Sequence, residues 1–513
     1  MLAILLLAGT LPFLNKPVHI DDANFLTLAR GAADNPWRPH AIEINWQGIT
    51  QPAFDVLSNP PGIGWWLAGV VEAPIWVQHL WMLPWLFPMA WGAWTLGETF
   101  ARRPLAAGIL MGASPVAILA AHSLLPDLPL YACTLAGMAG VTRPGEPNKN
   151  PWKWALVAGC SALFRYSGIV LIPLVVLWGL LQRTRRDAVV LGLAASVPIV
   201  ALISHDLFAY GKIHILSMVE FQSVADTPRD IFRKLVATLS MLGGVVALPV
   251  LGWNRWKPTT IGVGIGAGLG VAAATLSQQS GNALLGTVVF AAAGGGVLAS
   301  ALRLRRREDL WLSIWLVGGM LFLLKLRFVA GRYWLPFAAP AVLLPLQLAP
   351  RGLVRTACVL TPILALLLAI DDRELAVAQE AAAITVSESG DGIFAGHWGW
   401  QHHLEARGWR PLEEDEPIPP DTLFAVSSVS WPQEAAPSCL TPLSRMEFPD
   451  RWPGPRVHTR EGAANIHAYL ISSRPPVETT APWGFGKDPH DVVTLWRGCA
   501  APIDASDTDS THE

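Results

Sequence analysis

Apolar runs of up to about 20 residues recur through the first 370 positions, broken by short polar stretches, as in a chain whose helices cross a bilayer. The breaks predict spans at about 2–15, 74–98, 104–122, 126–141, 152–164, 167–181, 188–205, 233–252, 259–277, 283–302, 309–326, 334–349 and 353–371. Several are short and read as half-helices or tilted pieces. The first starts at Met1 with neither a basic n-region nor a small-residue cleavage site, so it reads as a retained span rather than a signal peptide.

Past Ile370 the pattern changes. IFAGHWGWQHHLEARGW and DTLFAVSSV suggest a strand, a helix and another strand. The Trp, Phe and Ile content of this tail is too high for a solvated extension. A small C-terminal α/β domain at 371–513, following a multi-span membrane domain at 1–370, is the expected organisation. The fold class is thus an α-helical polytopic membrane protein of about 13 transmembrane helices with an extracytoplasmic α/β domain.

Composition agrees. The chain is 52% hydrophobic and 15% charged, with a mean hydropathy of +0.38, whereas soluble domains carry about 25% charged residues. The net charge of −2 conceals two parts of opposite sign. Residues 1–370 hold 27 Lys+Arg against 16 Asp+Glu, and the tail holds 10 against 23. Nothing in this balance points to nucleic acid.

The basic residues set an orientation. Arg102 and Arg103, then Arg143, Lys149 and Lys153, lie in short loops on one side. Arg183, Arg185, Arg186, Arg255, Lys257, Arg303, Arg305, Arg306, Arg307, Arg351 and Arg355 fall on the same side. Those loops are read as cytoplasmic. The first outer loop, 16–60, the loops 206–232 and 325–333, and the acidic tail are then outside. An inside N-terminus and thirteen spans bring the C-terminus outside, in agreement.

Common chemistry-bearing motifs are missing: the sequence has no Walker, GxGxxG or HExxH signature. The glycines of TIGVGIGAGLGVAAATL match small-residue packing inside a membrane helix. Of five cysteines, Cys133, Cys160 and Cys358 sit in spans as packing residues. Cys439 and Cys499 lie in the tail, and a disulfide or two buried thiols both fit them.

What remains is a set of polar residues at the outer face. HIDDANFLTLA, just after the first apolar run, carries the adjacent acids Asp21 and Asp22. LLPDLPL carries Asp127, and LFRYSGIVLIPL carries Arg165 and Tyr166. KLRFVAGRYWLPFAAP carries Lys325, Arg327, Arg332 and Tyr333. Ionisable groups at membrane depth are functional candidates. Each has a bland alternative: snorkelling for a lone Arg or Lys, a helix N-cap for Asp127, ordinary solvation for two acids in a loop. Convergence of acids and bases from several spans on one face favours a site.

In order and topology these segments resemble the polyprenyl-phosphate-sugar-dependent glycosyltransferases of the GT-C class, in the protein mannosyltransferase and aminoarabinose transferase-like superfamily. Asp21-Asp22 stands where the family usually has Asp-Glu after the first span. NPPGIGWWLAG, from Asn59, is similar to its Asn/His-Pro-Pro segment, and SLLPDLPL to its second acidic motif. LFRYSGIVLIPL resembles Lys-Tyr-Thr-Gly with Arg165 in place of Lys, and GRYWLPFAAP resembles Arg-Tyr-Leu-Leu-Pro. FAGHWGWQHHLEARGWRP looks like the outer tail of bacterial members.

The resemblance implies an inverting transferase at the outer face of a bacterial inner membrane. Its partners would be a polyprenyl-phosphate-linked sugar donor, a glycolipid, glycan or protein acceptor, and the bilayer. Asp21 aligns with the first family acid and is the expected base, with Asp22 and Asp127 positioning it or the acceptor. The chemistry suits the residues independently. Arg and Lys can hold the departing phosphate, and a carboxylate can take the proton of the attacking hydroxyl. No cofactor is expected. His19, Asp21, Asp22, His122 and Asp127 could converge on a divalent metal, but their spacing carries no metal signature. The rivals are a transporter or flippase, which would place polar groups near the midplane between two similar halves, and a silent glycolipid-binding homologue.

Overall fold

A computed structural model describes residues 1–144, 150–222, 227–247, 256–449, 452–467 and 480–499. Lys149, Arg255 and the end of the span expected at 233–252 lie outside the described residues.

The apolar helices make this an integral membrane protein, but the thirteen expected spans do not form thirteen unbroken helices. Among the described residues four helices are long and apolar enough to cross a membrane: Arg185–Tyr210, Lys257–Leu276, Gly281–Leu302 and Arg351–Ser387. A fifth exists if Pro104–Gly112 and Pro115–Ala121, bent by 57° at their junction, count together. Proline is a physical reason for much of the difference, since it lacks the N–H that continues a helix and clashes with the preceding turn. The run at 74–98 becomes Ile75–Met82 and Leu86–Phe100 around a 3₁₀ turn containing Pro84. The runs at 152–164 and 167–181 become Pro151–Cys160 and Leu171–Gln182, with two 3₁₀ turns between.

The glycine-rich helix behaves as its composition suggests. Added Cβ atoms at Gly262 and Gly266 would come within 2.5 Å of Gly295 O and 2.2 Å of Ala291 O. Gly270 closes against Val288 one turn further on. Spacing by four puts these glycines on one face, which lets the helices 257–276 and 281–299 pack backbone to backbone.

Arg351–Ser387 runs unbroken for 37 residues, so the boundary expected near Ile370 falls inside a helix. Its far end packs into the tail. Ala382, Ala383 and Val386 are buried with Phe394, Trp400, Trp409 and Leu495. There a five-stranded sheet runs Arg410–Pro411, Gly392–Ala395, Leu423–Ser427, Asp491–Gly498, Leu440–Phe448. The first three strands are parallel and the last two antiparallel to their neighbours. The helix Trp398–Glu405 follows the strand at 392–395, as IFAGHWGWQHHLEARGW implies. Cys439 and Cys499 are bonded, at the end where Leu440 pairs Gly498.

The tail also reaches back to the membrane part. Gly331 N donates to Ile466 O at 2.9 Å, and Glu414 N to Gly48 O at 2.7 Å. His403 Nε2 lies 3.0 Å from Val18 O, so its N–H donates there. The segments that carry candidate site residues are therefore held from both ends of the chain.

Candidate active site

The acidic pair sits on a strained turn. Ile20 has φ +47°, a left-handed conformation rare for a β-branched residue. It directly precedes Asp21, which starts the helix Asp22–Asp34. The two adjacent carboxylates then part company. Asp22 is buried, and its Oδ1 accepts from Leu124 N at 2.8 Å. Burial pushes the Asp22 carboxyl up to about 7, against the opposing pull of Lys16 and the Leu124 N–H. Asp21 instead retains 21% side-chain exposure and accepts from Arg332 Nη2 at 2.5 Å.

Around Asp21 the charges alternate. Arg332 Nε lies 4.0 Å from Asp127 Oδ2, and Asp127 Oδ1 accepts from Arg165 Nη1 at 2.5 Å. Arg165 Nε donates onward to Asn59 Oδ1 at 3.2 Å. Tyr333 lies beside both guanidiniums, 4.8 Å from Arg165 and 5.6 Å from Arg332. Such contacts favour a cation over an aromatic face. Arg332 is buried, yet its Nε and Nη1 have no hydrogen-bond partner, nor does Asp127 Oδ2. Buried donors of this kind are costly unless something arrives to accept from them.

Asp127 is not an N-cap. Pro126 occupies that position, Asp127 lies in the first helical turn, and its carboxylate faces the arginines. Of the six expected substrate-binding residues, Arg165, Arg332 and Tyr333 join the acids. Tyr166 turns away: its hydroxyl is hydrogen-bonded with His214 Nδ1 at 2.7 Å, in a cluster with His40 and Phe54. Lys325 and Arg327 are exposed on the loop ahead of Arg332. Adjacency in sequence misled there, because the 3₁₀ turn Gly331–Phe337 buries Arg332 while the preceding loop stays at the surface.

A second buried cluster adjoins the first. Lys16 Nζ lies 2.5 Å from Asp372 Oδ2, and His467 Nε2 lies 2.7 Å from Asp372 Oδ1. A cavity of ≈ 20 Å³, room for about one water, is lined by residues of both clusters, among them Lys16, Asp372, Asp22, Asp127 and Arg332. Next in the chain, Asp371 Oδ2 accepts from Val457 N at 2.6 Å. Sequence reasoning missed Asn59, Lys16, Asp371, Asp372 and His467 as site residues. One signal was present: Asp371-Asp372 ends the last apolar run as an adjacent acidic pair, mirroring Asp21-Asp22 after the first.

No family model and no curated protein matches the chain. Two crystal structures of ArnT from Cupriavidus metallidurans are similar to it, one in the apo state and one bound to undecaprenyl phosphate. Their TM-scores are 0.38 and 0.40, at 15% identity over 83% of this chain and 92% of the other. At this overlap the likeness carries no weight for the chemistry.

Proposed function

We propose that the protein is an inverting glycosyltransferase that moves a sugar from a polyprenyl phosphate to an acceptor hydroxyl. One juxtaposition carries this reading. Asp21, the exposed member of the acidic set, is bonded to Arg332, whose Nε and Nη1 donors have no hydrogen-bond partner. A base that substrate can reach thus stands beside a cation with donors to spare.

The chemistry follows from that arrangement. Asp21 accepts the proton of the acceptor hydroxyl as its oxygen bonds to the anomeric carbon. The carbon–oxygen bond to phosphate breaks, and polyprenyl phosphate leaves with the bonding pair. Arg332 donates to the developing phosphate charge through its guanidinium nitrogens. Asp127 is a positioning residue, holding Arg165 and lying against Arg332 so that both guanidiniums are fixed before substrate arrives. Attack from the face opposite the phosphate inverts the anomeric centre. Phosphate is the leaving group, so no nucleotide is needed.

An apolar groove on the protein also suits a lipid-linked donor. This groove of ≈ 450 Å³ runs between the helices 281–299 and 351–387, lined by Leu285, Val289, Leu364, Leu367, Trp483 and Phe485. The distribution of basic loops supports a site and tail on the outer face of the membrane.

Purified protein in liposomes, given a polyprenyl-phosphate sugar, tests the reading. Release of polyprenyl phosphate only when an acceptor hydroxyl is supplied is the expected result. Movement of the lipid-linked sugar across the bilayer without cleavage would make the protein a flippase instead.

A further inference from the structure

Three side chains from distant segments converge beside the cavity. His19 comes from the loop ahead of the helix 22–34, Asp372 from within the helix 351–387, and His467 from the tail. His467 Nε2 is 2.7 Å and His19 Nε2 3.6 Å from the same oxygen, Asp372 Oδ1. The three ligand atoms all lie within 4.8 Å of one another.

The hydrogen bonds define the state of His19. Its Nδ1 lies 3.2 Å from Gln379 Oε1, an amide oxygen that can only accept. The ring proton is therefore on Nδ1, and Nε2 carries a lone pair. That nitrogen is buried and has no hydrogen-bond partner. It faces a carboxylate oxygen, which is another lone-pair donor. Two such groups opposed at 3.6 Å in a dry site repel, and a cation between them turns the repulsion into ligation. The Nδ1–H to Gln379 is the kind of outer contact that fixes a ligating imidazole. Lys16 occupies the other oxygen of Asp372 at 2.5 Å, so Asp372 has one oxygen to give.

We propose that His19 Nε2, Asp372 Oδ1 and His467 Nε2 form a divalent-cation site of the zinc type, with its fourth position open to the cavity shared with Asp22, Asp127 and Arg332. Two imidazoles and one carboxylate are a donor set used by open zinc sites. Ligands about 2.0–2.2 Å from a tetrahedral ion stand roughly 3–3.6 Å apart. The two separations to Asp372 Oδ1, 2.7 and 3.6 Å, lie at the edges of that range, and the third is within 4.8 Å. Binding would replace the hydrogen bond that His467 Nε2 now shares with Asp372 Oδ1. The fourth position would take water or the oxygen of an anion. The site departs from the expectation of no metal, because its ligands are spaced 353 and 95 residues apart and leave no motif.

The test uses full-length protein in detergent, purified without a histidine tag, stripped by chelator and titrated with zinc or cobalt. The expected result is one tightly bound ion per chain, with cobalt giving the intense visible bands of a tetrahedral site. His19→Gln and His467→Gln should each weaken binding by tenfold or more. Gln379→Leu leaves all three ligands in place and should still weaken it about tenfold. Zinc should raise the thermal midpoint of the wild type and of none of the ligand variants. Absence of a bound ion in the wild type, or unchanged affinity in both histidine variants, overturns the site. The readout is the ion itself, so the outcome is independent of whether sugar transfer is observed.

Discussion

Arg332 and Asp21 form a charge-assisted hydrogen bond of 2.5 Å across 311 residues of sequence. That bond occupies one oxygen of Asp21 and one nitrogen of Arg332, so each partner is oriented without being saturated. Removing either tests a different half of the proposed reaction.

Asp21→Asn should retain the fold, since an amide oxygen still accepts from Arg332. Transfer should fall on the order of a hundredfold or more if Asp21 is the base, while donor affinity stays within a few-fold. Single-turnover assays with a labelled donor measure both. Near-normal turnover in the folded variant would move the proton acceptor elsewhere.

Arg332→Ala should weaken donor binding and lower stability, because Asp21 loses its hydrogen-bond donor. Arg332→Lys should recover only part of the binding, as an ammonium lacks the planar fork. Lipid-phosphate binding curves on both variants decide the matter, and unchanged affinity in Arg332→Ala would reduce this arginine to a structural anchor.

Lys16 is 2% and Asp372 1% exposed, and their ion pair joins the first loop to the long helix. Lys16→Met leaves the buried Asp372 carboxylate without its cation, with His467 as its remaining close partner, and should cost about 3–5 kcal/mol. The double variant Lys16→Met with Asp372→Asn should regain much of that loss. Thermal unfolding of the set measures the coupling. Additive losses in the double variant would show that the pair does not act as a unit.

His40 and His214 lie 4.8 Å apart between the first loop and the segment after helix 185–210. Burial pushes them down to about 3 and about 4; His214 adds to the fall at His40, while hydrogen bonds to backbone carbonyls oppose it at both rings. Both fold as neutral rings, whereas the unfolded chain takes protons near pH 6.5. Their contribution is therefore intact above about pH 6.5 and declines as pH falls toward 4. His40→Gln keeps an N–H for Asn59 O and does not titrate, so its stability should depend less steeply on pH over that window. A slope equal to the wild type's would exclude His40 as a source.

Cys439 and Cys499 continue the pairing of the strands 440–448 and 491–498, with Cys499 N donating to Cys439 O at 3.0 Å. Opening the bridge should cost roughly 2–4 kcal/mol in the tail. Mass spectrometry of peptides alkylated without reductant should find the two joined. Recovery of both as alkylated thiols would show the tail to be held by its sheet alone.

Periodicity and motif order made much of this protein legible. Apolar runs announced membrane helices because burying a helix in lipid demands a local, contiguous signal. Glycines spaced by four announced close helix packing for the same reason. The acids Asp21 and Asp127 and the basic Arg165 and Arg332 could be picked out because an ionisable group beside an apolar run is conspicuous. Other features had no local signature. Whether an apolar run becomes one span or a broken pair depends on how neighbours receive the freed backbone at Pro84 or Pro115. Asp21 and Asp22 are equivalent in the sequence, and only the turn at Ile20 exposes one and buries the other. Tyr166 and Tyr333 each follow an arginine, yet one faces His214 and the other lies against two guanidiniums. Lys16, Asp372 and His467 meet because the helix 351–387 passes from the membrane part into the tail and brings its midpoint beside the first loop. Contacts between residues hundreds of positions apart are decided by that packing, and no window of sequence contains them.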